Sequence, residues 1–308
     1  MPMETKAPNA YPEGKNTEDP EISMEASAAE IRNLKEAFAL YSSLTQLPYV
    51  ECEQTDYNDQ VRLYAAKADA QTEAEELEKK GIPVRVRELK TVEVSVPVSA
   101  DRPEGEKKRL YLNQVRQYLG ILPFIGVNAV CYKPVKRPAQ TIELAGILPE
   151  ELKRKTAENT MYQPNLQLTG LYFMQEARRK KEYVDRKALQ ELEEEFTFNL
   201  SRSGLFLAVL PPEGQEKEQK IDLKACRLPY LKQPNGDRFF PLFTDIWEFQ
   251  KYVQGKKNLR PVKIPFGETE KFWVQDAKAY ILNPMGCSIP IAREMIPRIR
   301  ERFSAEEG

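Results

Sequence analysis

The stretch FPLFTDIWEF (240–249), together with AYILNPMGCSIPI (279–291), sets the local structure from which the fold can be worked out. In the first stretch, an apolar strand leads into a helix for which Asp245 is a suitable N-cap and Glu248 completes a capping-box spacing. In the second, a strand ends at residues 283–286, where Asn, Pro and Gly occupy the positions that a type I β-turn prefers. The two stretches predict strands and helices mixed within one small domain.

An earlier part of the chain repeats the same order of elements. The segments VRLYAA, VRVREL, AVCYKP and TIEL correspond in order and punctuation to PLFTD, VKIPF, AYILNP and SIPI. Tyr64 then occupies the place of Phe243, and Lys133-Pro134 that of Asn283-Pro284, with most of the surplus of the first copy at 91–108. The repeat predicts an α+β (mixed α/β) fold: a tandem of two similar domains, each a small mixed sheet flanked by helices.

The boundaries follow from changes in composition. We expect a disordered leader over 1–26, rich in Pro, Glu, Asn and Thr, and a polar linker over 149–160. The two domains then cover 27–148 and 161–308. Within them, the patterns predict helices at about 28–44 and at 109–122, a strand at 47–54, a helix capped by Asp185, and a hairpin around Asn235-Gly236.

Composition excludes several classes of function. The 46 basic and 47 acidic residues give a formal net charge of −1, so the sequence lacks the basic field of a nucleic-acid-binding protein. There is no histidine, which removes Ser-His-Asp and Cys-His nucleophiles and the HExxH zinc site. Four widely spaced cysteines form no CxxC pair, and no glycine-rich phosphate loop is present. We therefore expect no catalytic residues, no metal site and no cofactor.

The apolar runs of the chain are short. The leader contains no apolar stretch of signal-peptide length, and the longest run, LGILPFIGVNAVCY (119–132), falls short of the roughly 20 residues of a membrane-spanning helix. We expect a soluble cytoplasmic protein with reduced thiols and no membrane or nucleic-acid partner. The sequence leaves the oligomeric state open.

The second half resembles a known family. Two helices, the strand GLFLAVL, an Asn-Gly-Asp hairpin, and then FPLFTDIWEF and AYILNPMG resemble the domain of the bacterial enhanced-serine-sensitivity (SseB) family over roughly 160–306. The resemblance implies a small cytoplasmic α/β domain and assigns no reaction. The first half matches only in outline, as a divergent copy. The signature positions that carry over are Phe243, Thr244, Asn283, Pro284 and Gly286.

Each candidate site residue has a structural alternative. Asn283 and Asp245 fit a turn and a helix cap, and alternatively the polar contacts of a ligand groove that could include Tyr280. Trp247 lies off the apolar stripe of its helix, beside Lys251, so these two are candidates for binding a partner, against burial beneath the neighbouring domain. The basic run 178–181 fits a solvated helix end.

These considerations lead to two hypotheses on function. The first is a non-enzymatic module that binds another protein through exposed sheet faces or the Trp247 helix. The alternative is a sensor or enzyme for an amino acid or other metabolite, acting in a groove near Asn283 and Asp245.

Overall fold

The structure is a computed structural model that describes residues 24–97, 107–150, 152, 161–214 and 222–304. Residues 1–23 of the expected leader and most of the expected linker at 149–160 lie outside the described residues. The described part is called here the N-terminal half (24–150) and the C-terminal half (161–304). The three residues at 24–26, expected in the leader, begin helix α1.

The N-terminal half contains a seven-stranded sheet in the order β5-β4-β1-β3-β6-β7, with β2 paired to β3. β3 and β6 are parallel, and the other pairs are antiparallel. The strands are β1 (Glu36–Ser42), β2 (Glu51–Cys52), β3 (Asp59–Tyr64), β4 (Val84–Pro97), β5 (Lys107–Asn113), β6 (Ala129–Lys133) and β7 (Gln140–Glu143). The helices are α1 (Met24–Asn33), α2 (Lys67–Lys79), α3 (Gln114–Ile121) and α4 (Leu144–Ile147), and a 3₁₀ helix spans Leu122–Ile125.

The C-terminal half contains a six-stranded sheet in the order β11-β8-β10-β12-β13, with β9 paired to β10. Its strands are β8 (Gly204–Val209), β9 (Leu231–Lys232), β10 (Arg238–Phe243), β11 (Arg260–Pro265), β12 (Ala277–Leu282) and β13 (Ile289–Ile291). Its helices are α5 (Pro164–Ala177), α6 (Arg186–Ser201), α7 (Ile246–Val253) and α8 (Met295–Ser304), with 3₁₀ helices at Lys181–Tyr183 and Phe266–Phe272.

The two sheets have the same topology apart from β5. The order β4-β1-β3-β6-β7 corresponds strand for strand to β11-β8-β10-β12-β13, including the central parallel pair and the short strand beside β3 or β10. Tyr64 is the partner of Phe38, and Phe243 is the partner of Phe206, as the predicted alignment of Tyr64 with Phe243 requires. The fold is therefore mixed α/β with two sheets flanked by helices, as predicted.

Two predicted helices are wrong. The helix predicted at 28–44 is α1 followed by β1, and the helix predicted at 109–122 is β5 followed by α3. β1 is a central strand that is buried from Ala37 to Ser42, and such an apolar run also satisfies a helical spacing. At the second site, Asn113 caps α3 by accepting from the Arg116 backbone N–H (3.1 Å), so the helix begins only after the strand. The strand predicted at 47–54 is reduced to β2.

Helix α5 joins the two halves. Its buried side chains belong to one hydrophobic core that also contains Val61 and Leu63 of the first sheet and Leu205 and Leu207 of the second. Because apolar side chains of α5 pack in one cluster with residues of both sheets, the two halves share a core along their contact, which is called the seam here. None of the helices in the described ranges combines the length and the apolar character that a bilayer crossing needs.

Candidate functional site

A polar cluster lies where β10 and β12 end, beneath α5. We define it as the five side chains of Gln167, Thr244, Asp245, Glu248 and Asn283, none of which exposes more than 3% of its surface. β10 and β12 are parallel neighbours, so their carboxyl ends bring Thr244 and Asn283 together, and α7 begins directly after β10. Burial of five polar groups requires that they satisfy one another.

Asp245 caps α7 and also ties that helix to α5. One carboxylate oxygen accepts from the Glu248 backbone N–H at 2.9 Å, as the sequence predicts for an N-cap. The other accepts from the Gln167 side-chain amide at 2.9 Å and from the Thr244 hydroxyl at 3.1 Å. Burial nevertheless raises the pKa of Asp245 above its ordinary value, against these hydrogen bonds.

Asn283 closes the turn that follows β12. The Gly286 N–H donates to its backbone carbonyl at 2.8 Å, which confirms the predicted turn at 283–286. Its own backbone is left-handed, with φ of 52°, a conformation that Asn tolerates better than most residues. The side-chain oxygen accepts from the Thr244 backbone N–H at 2.9 Å, and the amide donates to Gln167 at 3.1 Å.

Glu248 occupies the inner end of the cluster. One oxygen accepts from Lys251 at 2.5 Å and from Gln167 at 3.2 Å, and the other has no hydrogen-bond partner. Burial raises the pKa of Glu248, opposed by the Lys251 ammonium. A side chain at Gly286 would place its Cβ only 2.9 Å from this carboxylate, which explains the glycine of the predicted signature.

The cluster is a structural tie between α5, α7 and the β12 turn. Asp245 and Asn283 are enclosed, at 0% and 2% exposure, so no substrate reaches them in this structure. Tyr280, the third candidate for a ligand contact, is a core residue that donates to the Thr269 carbonyl at 3.0 Å. The groove predicted near Asn283 and Asp245 is thus filled by protein atoms.

The raised pKa of Glu248 predicts how stability depends on pH. The folded state holds the proton more tightly than the unfolded state, so wild type should lose stability as pH rises from the ordinary value of 4.5 through the raised folded pKa. Urea unfolding should be measured at several pH values. Across that window, the free energy of unfolding of Glu248→Gln should rise relative to that of wild type by up to about 1.4 kcal/mol per pH unit. The exposed carboxyl of Glu75 provides the control, and an equal gain for Glu75→Gln would contradict the assignment.

Trp247 contacts the N-terminal half. Its ring stacks on Phe124 with centroids 5.7 Å apart. The Lys251 ammonium lies over the same Trp247 ring, 3.8 Å from its centroid. Of the two interpretations of Trp247, the structure therefore shows packing against the neighbouring half, with the ring only half-buried. The partner-binding role of Trp247 and Lys251 stays a prediction.

The basic run 178–181 after α5 is solvated, as predicted, at Lys180 and Lys181, but the prediction is wrong for Arg178 and Arg179. Arg178 donates to the carbonyl of Leu44 (2.9 Å) in the N-terminal half and to those of Cys287 (2.8 Å) and Ser288 (3.0 Å) in the C-terminal half. Arg179 donates to the Gly81 carbonyl at 3.1 Å. These guanidinium groups satisfy backbone carbonyls across the seam between the halves, which a local charge pattern does not disclose.

A two-stranded ribbon extends from the first sheet. Beyond Lys90, β4 leaves its partner β1 and pairs with β5 alone, from Thr91↔Asn113 to Pro97↔Lys107. One face of this ribbon (residues 91–97 with β5) carries the paired side chains Val92↔Leu112 and Val94↔Leu110. Leu110 is 41% exposed, and Tyr111 on the opposite face is 75% exposed. Among the described residues of the C-terminal half, the second sheet has no counterpart of β5.

Sequence reasoning missed Gln167. It bridges the carboxylates of Asp245 and Glu248 and accepts from Asn283, so it holds the polar cluster together. The available signal is its place in NLQLTGLYFM, where a polar residue stands inside an apolar helix and must find buried partners.

Comparison with known proteins identifies part of the chain. Residues 186–298 match the family model described as the SseB protein N-terminal domain. No curated protein matches the chain. Among solved structures, Tic22 from Plasmodium falciparum matches with 12% identity and a TM-score of 0.18 over 89% of this chain and 97% of that one. Anabaena Tic22, described as protein transport, matches with 10% identity and a TM-score of 0.19 over 90% and 96%. TM-scores this low carry no argument about fold or function.

Proposed function

We propose that this protein is non-enzymatic and cytoplasmic and that it binds another protein through the ribbon. Its C-terminal half contains an SseB-type domain. The observation that carries the proposal is the apolar face formed by Val92, Val94, Leu110 and Leu112, in which Leu110 is exposed and the other three side chains are half-buried. An isolated two-stranded ribbon is at best marginally stable in water, and a partner that covers its apolar face would stabilise it. The free edge of β5 also offers unpaired backbone groups to an extended segment of that partner.

Two further observations support the proposal, the first for a role without catalysis and the second for the compartment. The acidic groups with raised pKa values, Asp245 and Glu248, are enclosed by the polar cluster and serve as a helix cap and an internal ion pair. The four cysteines are free thiols, which suits a reducing compartment. The N-terminal half repeats the topology of the family domain, and we propose that it is a divergent copy with the ribbon added.

The ribbon predicts a specific loss of binding. The full chain is immobilised, and proteins captured from native cell extract are quantified by mass spectrometry. At least one captured protein should fall at least about tenfold when the double variant Val94→Asp, Leu110→Asp replaces wild type. The reason is that the variant loses apolar contact area and buries charge in the interface. Val135→Asp changes another exposed apolar residue (54%) and should leave capture unchanged. Equal capture by wild type and the double variant, with both folded, would overturn the proposal.

A further inference from the structure

A cavity of about 340 Å³ opens on the α2 face of the first sheet, at the carboxyl ends of the parallel strands β3 and β6. In open α/β sheets this is the edge at which ligands commonly bind. Most of the residues that line it carry polar or charged groups. The side chains that matter here are those of Arg62, Tyr64, Asp69, Glu73, Cys131 and Lys133.

The same layer of the C-terminal half is filled with aromatic rings. Phe243, the counterpart of Tyr64, contacts Phe249 at 5.5 Å and Tyr252 at 5.2 Å between ring centroids. Both helices start three residues after these positions, so Tyr252 of α7 corresponds to Glu73 of α2. In the N-terminal half, Ala70 and Glu73 stand at the positions of Phe249 and Tyr252, and the cavity lies beside Glu73.

Part of the cavity's charge is already compensated. Arg62 forms ion pairs with Glu51 at 2.6 Å and with Glu73 at 2.5 Å. The charge of this guanidinium is therefore already neutralised by protein carboxylates. Its two acidic partners hold it against the floor of the cavity. The remaining charged groups are therefore the ones available to a ligand.

Three polar groups of the cavity lack a matching partner among the described residues. The carboxylate of Asp69 makes no hydrogen bond or ion pair there, and the ammonium of Lys133 donates only to the Arg137 carbonyl. The hydroxyl of Tyr64, a residue only 5% exposed, is buried beside the Arg62 guanidinium and makes no hydrogen bond of good geometry with the described residues. A buried hydroxyl without a good hydrogen bond destabilises the fold, and a bound polar group would satisfy it.

The two unpaired charges lie on different walls. Asp69 belongs to the first turn of α2 and Lys133 ends β6, while the Ala65 N–H donates to the Lys133 carbonyl at 3.0 Å and brings these elements together. The N-cap of α2, Ala66, has no side chain that could cap the helix, unlike Asp245 of α7. Asp69 instead places an acidic group in the first turn of α2, where the helix dipole favours it.

We propose that this cavity binds a small zwitterion of free amino-acid size. Lys133 receives its carboxylate, Asp69 receives its ammonium, and the Tyr64 hydroxyl bonds to a polar atom between them. A ligand with one charge of each sign leaves no uncompensated charge in the half-buried site, whereas a singly charged ligand would leave Asp69 or Lys133 unpaired.

Calorimetric titration of the full chain tests this with the standard amino acids as zwitterions. At least one should bind, and its N-acetyl derivative, which lacks the ammonium, and its amide, which lacks the carboxylate, should each bind at least about tenfold more weakly. Lys133→Ala and Asp69→Asn should each weaken binding of the zwitterion by a similar factor. Lys79→Ala and Asp56→Asn, which remove exposed charges outside the cavity, are the matched controls and should leave it unchanged.

Two results would overturn the proposal. One is that no standard amino acid binds at concentrations up to about 10 mM, the range of the weakest specific affinities. The other is a loss of discrimination: either the N-acetyl and amide derivatives bind as well as the zwitterion, or the cavity variants bind like the control variants while remaining folded by circular dichroism. Neither result depends on the ribbon, so this proposal and the proposed function fail separately.

Discussion

Asn283→Ala should lower the free energy of unfolding by about 4 kcal/mol, because a buried donor and a buried acceptor lose their partner and a non-glycine residue other than Asn must adopt a left-handed backbone. The orphaned groups are the Thr244 backbone N–H and the Gln167 side-chain oxygen, both enclosed in the polar cluster. Urea unfolding followed by circular dichroism measures the change.

The control for this prediction is a second asparagine with the same backbone conformation. Asn258 has φ of 65° and an exposed side chain, so Asn258→Ala carries the backbone cost of about 1 kcal/mol without the loss of a buried network. The difference between the two variants is then the contribution of the cluster. If both variants lower the free energy of unfolding by the same amount, the hydrogen bonds of the Asn283 side chain do not stabilise the folded state relative to the unfolded state.

Arg178→Ala should destabilise the chain by about 3 kcal/mol and uncouple its halves. The guanidinium loses three charge-assisted bonds to the carbonyls of Leu44, Cys287 and Ser288, which would be left without this donor at the seam. Because the bonds join loops of different halves, we expect the single unfolding transition to broaden or split. Chemical denaturation followed by tryptophan fluorescence reports on the seam directly, since Trp247 stacks on Phe124 across it.

Two variants define what Arg178 contributes. Arg186→Ala removes an exposed arginine at the start of α6 and should change stability by less than about 0.5 kcal/mol. Arg178→Lys keeps the charge without the planar fork, and should restore less than half of the loss because one ammonium cannot reach carbonyls on both sides. Full restoration by lysine would show that charge alone stabilises the seam.

Local sequence signals predicted the parts of the site that are formed by neighbouring residues. The Asp245 cap, the turn at 283–286 and the hairpin around Asn235-Gly236 depend on contacts within a few positions, and the structure confirms each of them. The partners that complete the site come from far along the chain. Gln167 lies on a helix that precedes the signature by more than two elements, so no spacing rule links it to Asp245 or Asn283.

The sequence by itself determined most of the elements and the similar order in which they follow one another in the two halves, because turn residues and apolar periodicity report on nearest neighbours along the chain. Only the tertiary structure decided that residues 36–42 and 107–113 are strands, since a strand is made by partners such as Lys90 and Thr91 on β4, far from it in sequence. Tertiary packing also decided that Arg178 lies in a seam and that the layer filled by Tyr252 in one half is an open cavity beside Glu73 in the other. Burial and charge pairing depend on what lies opposite a side chain, and the chain's local pattern does not specify that.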